Sequence, residues 1–246
     1  MISDFPSPVI FAHRGASAYA PENTLAAFEL AVKQGAPAIE FDVKLTCDRQ
    51  VIIIHDQTLD RTTNGTGQVV KHPFAALREL DAGVWKSAEF RGEKIPLLEE
   101  VFETVGRKVL LNIELTNYAT PFDALVPEVA ALIKKHNIQQ QVIFSSFYFS
   151  NLLAAQRNLP EVPRGLLFET GIDAWHQKLA SRFMNLQAEH PYTTDVTSQL
   201  VQRVHAAKRR VHVWTVNDPQ DMRRLRACGA DGIFTDDPLL AIENFK

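Results

Sequence analysis

"AIEFDVKLTCDRQVIIIHD", residues 38 to 56, holds two β-branched and apolar runs separated only by Cys47, Asp48, Arg49 and Gln50. Four residues cannot carry a crossover helix, because parallel neighbours need a connection of a dozen or more residues. The stretch therefore predicts an antiparallel hairpin. That reading decides the count elsewhere. Apolar runs recur at 9–12, 38–43, 51–54, 109–115, 142–145, 165–168, 184–188, 211–216 and 232–235. Segments of helical periodicity alternate with them, at 23–34, 97–105, 121–136, 148–158, 173–182, 197–208 and 219–227. Alternation at this spacing predicts parallel βα units. With 51–54 set aside as the return arm of the hairpin, eight parallel strands remain. The expected fold is α/β, a (β/α)8 TIM barrel. A doubly wound open sheet is the alternative, but its phosphate-cradling glycine fingerprint is absent from the sequence.

Residues 56–96, polar and rich in glycine and charge, carry no clear strand-helix unit and are expected to form a small insertion after the His55-Asp56 pair. No composition shift marks a linker, so residues 1–246 are expected to form one barrel domain.

Strand period two gives the chemistry its first shape. Glu40, Asp42 and Lys44 share one face of their strand, against Ile39, Phe41 and Val43 on the other. In "LNIELT", Asn112, Glu114 and Thr116 share a face against Ile113 and Leu115. Packing the apolar sets outward against helices turns Glu40, Asp42 and Glu114 inward. Three interior carboxylates repel one another and are costly to desolvate, a conflict that a hard divalent cation resolves. With a hairpin turn centred near residues 48 and 49, His55 is expected opposite Asp42. His13 ends the first strand and reaches the same rim, the C-terminal face where barrel active sites sit.

Arg14 adds a planar grip suited to an anion, phosphate above all. Two histidines can serve as general base and general acid. Together these residues predict metal-assisted cleavage of a phosphodiester. A metal-dependent aldolase or enolase-like lyase is the competing chemistry, although a lyase needs only one base. "PENT" at 21–24 reads as a helix start with Asn23 as its cap. Phe147 and Phe149 follow another strand and are candidates for the rim or, equally, for the core.

The remaining composition excludes other classes. The formal net charge is −3 with acids and bases interspersed, so no basic face predicts nucleic-acid binding. Cys47 and Cys228 match no metal or disulfide spacing. "MISDFPSP" lacks a secretory pattern, and no apolar run is long enough to span a membrane. A cytoplasmic protein without stable membrane insertion is expected. The sequence is silent on oligomeric state.

The motifs "AHRGASAYAPENTLAAF", "IEFDVKLTCDRQVIIIHD", "DRTTNGTG", "IPLLEEV", "NIEL", "VWTVND" and "GADGIFTD" resemble those of the glycerophosphodiester phosphodiesterases, over nearly the whole chain. The resemblance implies a barrel that hydrolyses glycerophosphodiesters, such as glycerophosphocholine, to glycerol 3-phosphate and an alcohol. It implies His13 and His55 as general base and acid. It implies Glu40, Asp42 and Glu114 as ligands of one divalent cation, Mg2+ or Ca2+, and Arg14 as a phosphate contact. It also places an aromatic residue at Trp214, which would either wall the glycerol or cover the core at the rim. One departure stands out: a lysine common two residues after the third metal ligand is Thr116 in this chain. Lys44, inward and one pleat nearer the rim than Asp42, is the expected substitute as a substrate-binding cation. An inactive barrel acting as a phosphodiester-binding module, or a lysophospholipid-directed enzyme, are the alternatives.

Overall fold

The computed structural model describes residues 5–168 and 184–245. The strands are β1 Val9–His13, β2 Ala38–Leu45, β3 Val51–Ile53, β4 Leu110–Leu115, β5 Val142–Ser146, β6 Arg164–Leu167, β7 Ala188–His190, β8 Arg210–Val213 and β9 Gly232–Thr235. They form one sheet in the order β1-β9-β8-β7-β6-β5-β4-β2-β3, and pairing of β1 with β2 closes it. Every pairing is parallel except that of β3 with β2. The fold is thus a (β/α)8 barrel with a hairpin arm on β2, and closure removes the open-sheet alternative. The expected helix at 173–182 lies outside the described residues.

The alternation read from the sequence sorts the two faces as anticipated. Ile39, Phe41, Val43, Ile113 and Leu115 pack outward in the main core cluster with Phe28, Val101, Phe102, Val129 and Ile133 of the surrounding helices. Inside, Val9, Phe11, Ala38, Ile143, Ala188 and Phe234 fill the lower layer. Polar inward residues follow on the same strands nearer their C-terminal ends. The lower layer is largely apolar, and the upper layer carries the carboxylates.

Three local expectations need correction. The hairpin pairs Val43 with Ile53 and Lys44 with Ile52, and the Ile54 amide donates to the Asp42 carbonyl. Ile54, not His55, therefore lies opposite Asp42. The shift of one position follows from a tight loop centred on Asp48, in which Arg49 takes a left-handed conformation at φ 62°. The strand expected at 184–188 pairs instead over Ala188–His190. Met184 and Leu186 do pack, but against the outer cluster before the ladder begins. Glu189 and His190 gave no strand signal because neither is apolar: His190 faces the interior against His212, and Glu189 faces the other side, paired with Arg209 at 3.1 Å. Finally, Thr24 rather than Asn23 caps the helix Leu25–Lys33, accepting from the Ala27 amide.

The insertion is more ordered than its composition implied. It contains a helix at Phe74–Glu79. It also buries Leu59, Val69, Leu77, Ala82 and Ile95 against Ile52 and Ile54 of the hairpin arm. The β3 arm thus roots the insertion beside the rim, which brings residues such as Arg61 and Lys86 to the site.

Candidate active site

The parallel register of β2 with β4 sets Glu40 beside Asn112 and Asp42 beside Glu114. One carboxylate oxygen from each of Glu40, Asp42 and Glu114 lies within 4.8 Å of the others. Burial and the charges of Asp42 and Glu114 push Glu40 well above the usual carboxylate range. Burial and the Asp42 charge raise Glu114 to about 8. Asp42 is the exception. Burial opposes its charge, but Arg14, His55 and a hydrogen bond from Asn23 outweigh that and lower its pKa. The Oε1 atom of Glu40 is buried without a hydrogen-bond partner. An orphaned, desolvated carboxylate oxygen aimed at two further carboxylates fits a hard divalent cation, which takes oxygen ligands.

His13 closes β1, and its backbone pairs with Glu40. Its Nδ1 lies 2.6 Å from Oδ1 of Asp236, and its Nε2 lies 3.9 Å from Oε2 of Glu40. Asp236 is held down to about 2: burial opposes its charge, but His13, Asn217 and Ser17 outweigh it. His55 repeats the arrangement, with Nδ1 2.6 Å from Oδ1 of its neighbour Asp56. Arg61 donates to both oxygens of Asp56 at 2.7 and 3.0 Å, and these bonds hold Asp56 well below its ordinary range. Each histidine thus has one nitrogen fixed by a carboxylate, which orients the ring and leaves Nε2 for the cavity.

Arg14 adopts a left-handed backbone at φ 56°, and its amide donates to Glu40 Oε2 at 3.0 Å. The next residue must be glycine, because a Cβ on Gly15 would stand 2.7 Å from the Ala27 backbone. The Arg14 side chain donates from Nη1 to Glu22 at 2.8 Å, and its Nε lies 3.3 Å from Asp42 Oδ2. Burial works against this charge, but Asp42, Glu22 and Glu40 more than offset it and raise the pKa. Glu22 also accepts from Arg61 at 2.7 and 2.8 Å. A single charge chain, His55–Asp56–Arg61–Glu22–Arg14–Asp42, therefore links one histidine to the carboxylate cluster through the insertion.

A cavity of about 110 Å3 is lined by His13, Arg14, Glu40, His55, Glu114, Phe147 and Trp214, among others. Trp214 stands edge-on to Phe147 at 5.4 Å, its indole nitrogen donating to the His190 carbonyl at 2.7 Å. Phe149, by contrast, packs against the outer core.

Lys44 is placed otherwise than expected. It points inward but is not among the residues lining this cavity. Its Nζ donates to both the carbonyl and the hydroxyl of Thr116, each at 2.8 Å. Burial lowers it to about 8 against the pull of Asp42 and Glu114.

The sequence reading missed Asp56, Asp236, Glu22 and Arg61 as partners. Asp56 was visible in the His-Asp dipeptide. Asp236, 223 residues from His13 in sequence, offered only its place just past the last strand. Asn23, read as a cap, instead sits at φ 59° and donates to Asp42 Oδ2 at 2.9 Å.

The closed barrel carries a carboxylate cluster and two carboxylate-held histidines on its C-terminal rim, the face where barrel active sites sit. The family model of the glycerophosphoryl diester phosphodiesterases matches residues 13–240. The chain belongs to that family. It is 39% identical to a glycerophosphodiester phosphodiesterase of Caldanaerobacter subterraneus, over 94% of each chain. It is 35% identical to one of Bacillus altitudinis, covering 95% of this chain and 96% of the relative. Among solved structures, an Oleispira antarctica phosphodiesterase in complex with the product sn-glycerol-3-phosphate superposes with a TM-score of 0.89 at 34% identity, covering 97% and 96% of the two chains. A glycerophosphodiester phosphodiesterase from Agrobacterium tumefaciens gives 0.82 at 29% identity, over 96% and 99%.

Proposed function

We propose that this protein hydrolyses glycerophosphodiesters to glycerol 3-phosphate and an alcohol, with His13 and His55 as the acid-base pair. The observation that carries the reading is the paired geometry of the two histidines. Each is held at Nδ1 by a carboxylate, and both line the cavity that Glu40 and Glu114 also line. A lyase needs only one such group. The product bound by the Oleispira relative is the one this reaction yields.

Glu40, Asp42 and Glu114 would hold one divalent cation, Mg2+ or Ca2+, which supplies charge to offset the phosphoryl oxygens. Arg14 grips the phosphate: Nη1 is spent on Glu22, and Nη2 donates to no described residue. One of the two histidines takes the proton of the attacking hydroxyl, either of water or of the adjacent glycerol carbon; in the latter case water then opens the cyclic phosphate. The other delivers a proton to the departing alcohol oxygen, and Asp236 and Asp56 stabilise the imidazolium forms of His13 and His55. Phe147 and Trp214 wall the glycerol.

The test is a coupled assay for glycerol 3-phosphate on a panel of glycerophosphodiesters, with and without chelator. His13→Ala and His55→Ala should each lose at least about 100-fold in kcat/KM while the protein stays folded. Retention of the rate by either variant returns that histidine to a structural role.

A further inference from the structure

A second cavity, of about 530 Å3, meets the first at His13 and Arg14. Those two residues line both cavities, and no other residue does. A phosphodiester carries two alcohol substituents on one phosphorus. With the phosphate at the His13–Arg14 seam, one substituent enters each cavity. The smaller, aromatic-walled space suits glycerol, and the larger, open one is left for the departing alcohol.

The wall of this second space has a definite chemistry. Its carboxylates are already occupied. Asp236 accepts from His13, Ser17 and Asn217. Asp237 accepts from the Leu240 amide and the Tyr19 hydroxyl. Glu22 is shared between Arg14 and Arg61. Lys86 is different. Its Nζ donates to the Ser17 carbonyl at 2.8 Å, and it has no carboxylate partner among the described residues. Two ammonium N–H groups remain to donate. Beside it, Trp85 is 37% exposed, with its indole nitrogen spent on the Ala82 carbonyl at 2.9 Å, so it offers only its apolar ring.

The geometry points to a polyhydroxylated leaving alcohol, its hydroxyl oxygens accepting from Lys86 and its carbon face resting on Trp85. An alcohol whose only further group is a quaternary ammonium has no hydroxyl to accept from Lys86 and forgoes that bond. This inference rests on the proposed diesterase reading and names the substrate class that reading leaves open.

The test compares glycerophosphoinositol with glycerophosphocholine in the coupled glycerol 3-phosphate assay. The inositol diester should be favoured in kcat/KM by about tenfold or more, the scale of one hydrogen bond to a charged donor. Lys86→Ala should erase most of that preference. Lys86→Gln, which keeps a donor but not the charge, should reduce it less than Lys86→Ala, and Trp85→Ala should also lower it. A choline diester turned over equally well or better overturns the inference. So does an equal loss on both diesters in the Lys86 variants, which would place the lysine on the phosphate instead. Release of glycerol 3-phosphate from no diester at all overturns the reaction reading itself, and this inference with it.

Discussion

Lys44 and Thr116 form one buried unit across the β2–β4 ladder, the ammonium donating to both the carbonyl and the hydroxyl of the threonine at 2.8 Å. The cation expected on β4 by family resemblance thus stands on β2, with its tip resting at position 116. Lys44 is 1% exposed and Thr116 is as buried. Introducing a second ammonium at 116 would crowd two like charges into a space without water. Thr116→Lys alone should therefore destabilise the fold, on the order of 3 kcal/mol. The exchange variant Lys44→Thr/Thr116→Lys should recover most of that loss. Chemical denaturation of the single and double variants measures it, and simple additivity would show that the two positions are not coupled.

Removal of the divalent cation should abolish turnover and lower the melting temperature. Glu40, Asp42 and Glu114 lie within one coordination sphere of each other, and a ligand that binds only the folded state stabilises it by mass action. Titrating Mg2+ or Ca2+ into chelator-treated protein should raise Tm steadily with concentration. Glu40→Gln should flatten that rise, since it removes one anionic ligand. Full turnover after rigorous stripping would reassign the three carboxylates to structure.

The carboxylates behind the histidines should matter nearly as much as their immediate chemistry suggests. Asp236→Asn keeps the size of the group facing His13 but loses the charge that favours the imidazolium. It should cut kcat/KM by about 10- to 100-fold and move the limb of the pH profile that His13 sets to lower pH. Asp56→Asn should cost a similar factor but shift the opposite limb, so that one of the two variants narrows the profile and the other widens it, with an added effect on Arg61, which donates to Asp56 at 2.7 and 3.0 Å. Variants whose pH profiles match the wild type would show the carboxylates to be spectators.

Much of this arrangement was legible because strands alternate strictly. The pattern Glu40-Phe41-Asp42-Val43 can pack outward only through its apolar members, so the inward carboxylates followed from period alone. The hairpin was legible from the four residues between its arms, but its register was not. A turn centred on Asp48 rather than between 48 and 49 differs by the left-handed conformation of one residue, Arg49. Arg49 carries no glycine or asparagine signal for it. The partners of the histidines divided in the same way. Asp56 is adjacent in sequence, whereas Asp236 reaches His13 only because β1 pairs with β9 when the barrel closes. Lys44 was placed on the correct face, and its capture by Thr116 depended on a side-chain contact across strands that no single-strand pattern encodes.

A further consequence of the barrel interior concerns acid stability. His190 and His212 lie fully buried in the layer below the site, with His212 Nδ1 3.2 Å from His190 Nε2. Phe11 stacks near His212 at 5.1 Å and Phe234 near His190 at 5.1 Å. The fit is close: a Cβ added at Gly165 would stand 2.3 Å from His190 Nε2, and one at Gly232 would stand 3.1 Å from the His212 ring. Burial lowers His190 to about 3. Burial, His190 and Arg210 lower His212 well below its ordinary value. In the unfolded chain both titrate near about 6.5. Below that pH the unfolded state binds protons that the folded state refuses, so stability is fully present above about 6.5 and is lost as pH falls toward 3. Each refused proton contributes a slope of about 1.4 kcal/mol per pH unit. His212→Phe, which extends the stack between Phe11 and Phe234, should remove one such proton and flatten the fall in stability between about pH 6 and 5 by that amount. Urea denaturation across this range, with the cation present for both proteins, gives the difference directly. Parallel pH profiles would mean that His212 takes up its proton without unfolding the barrel.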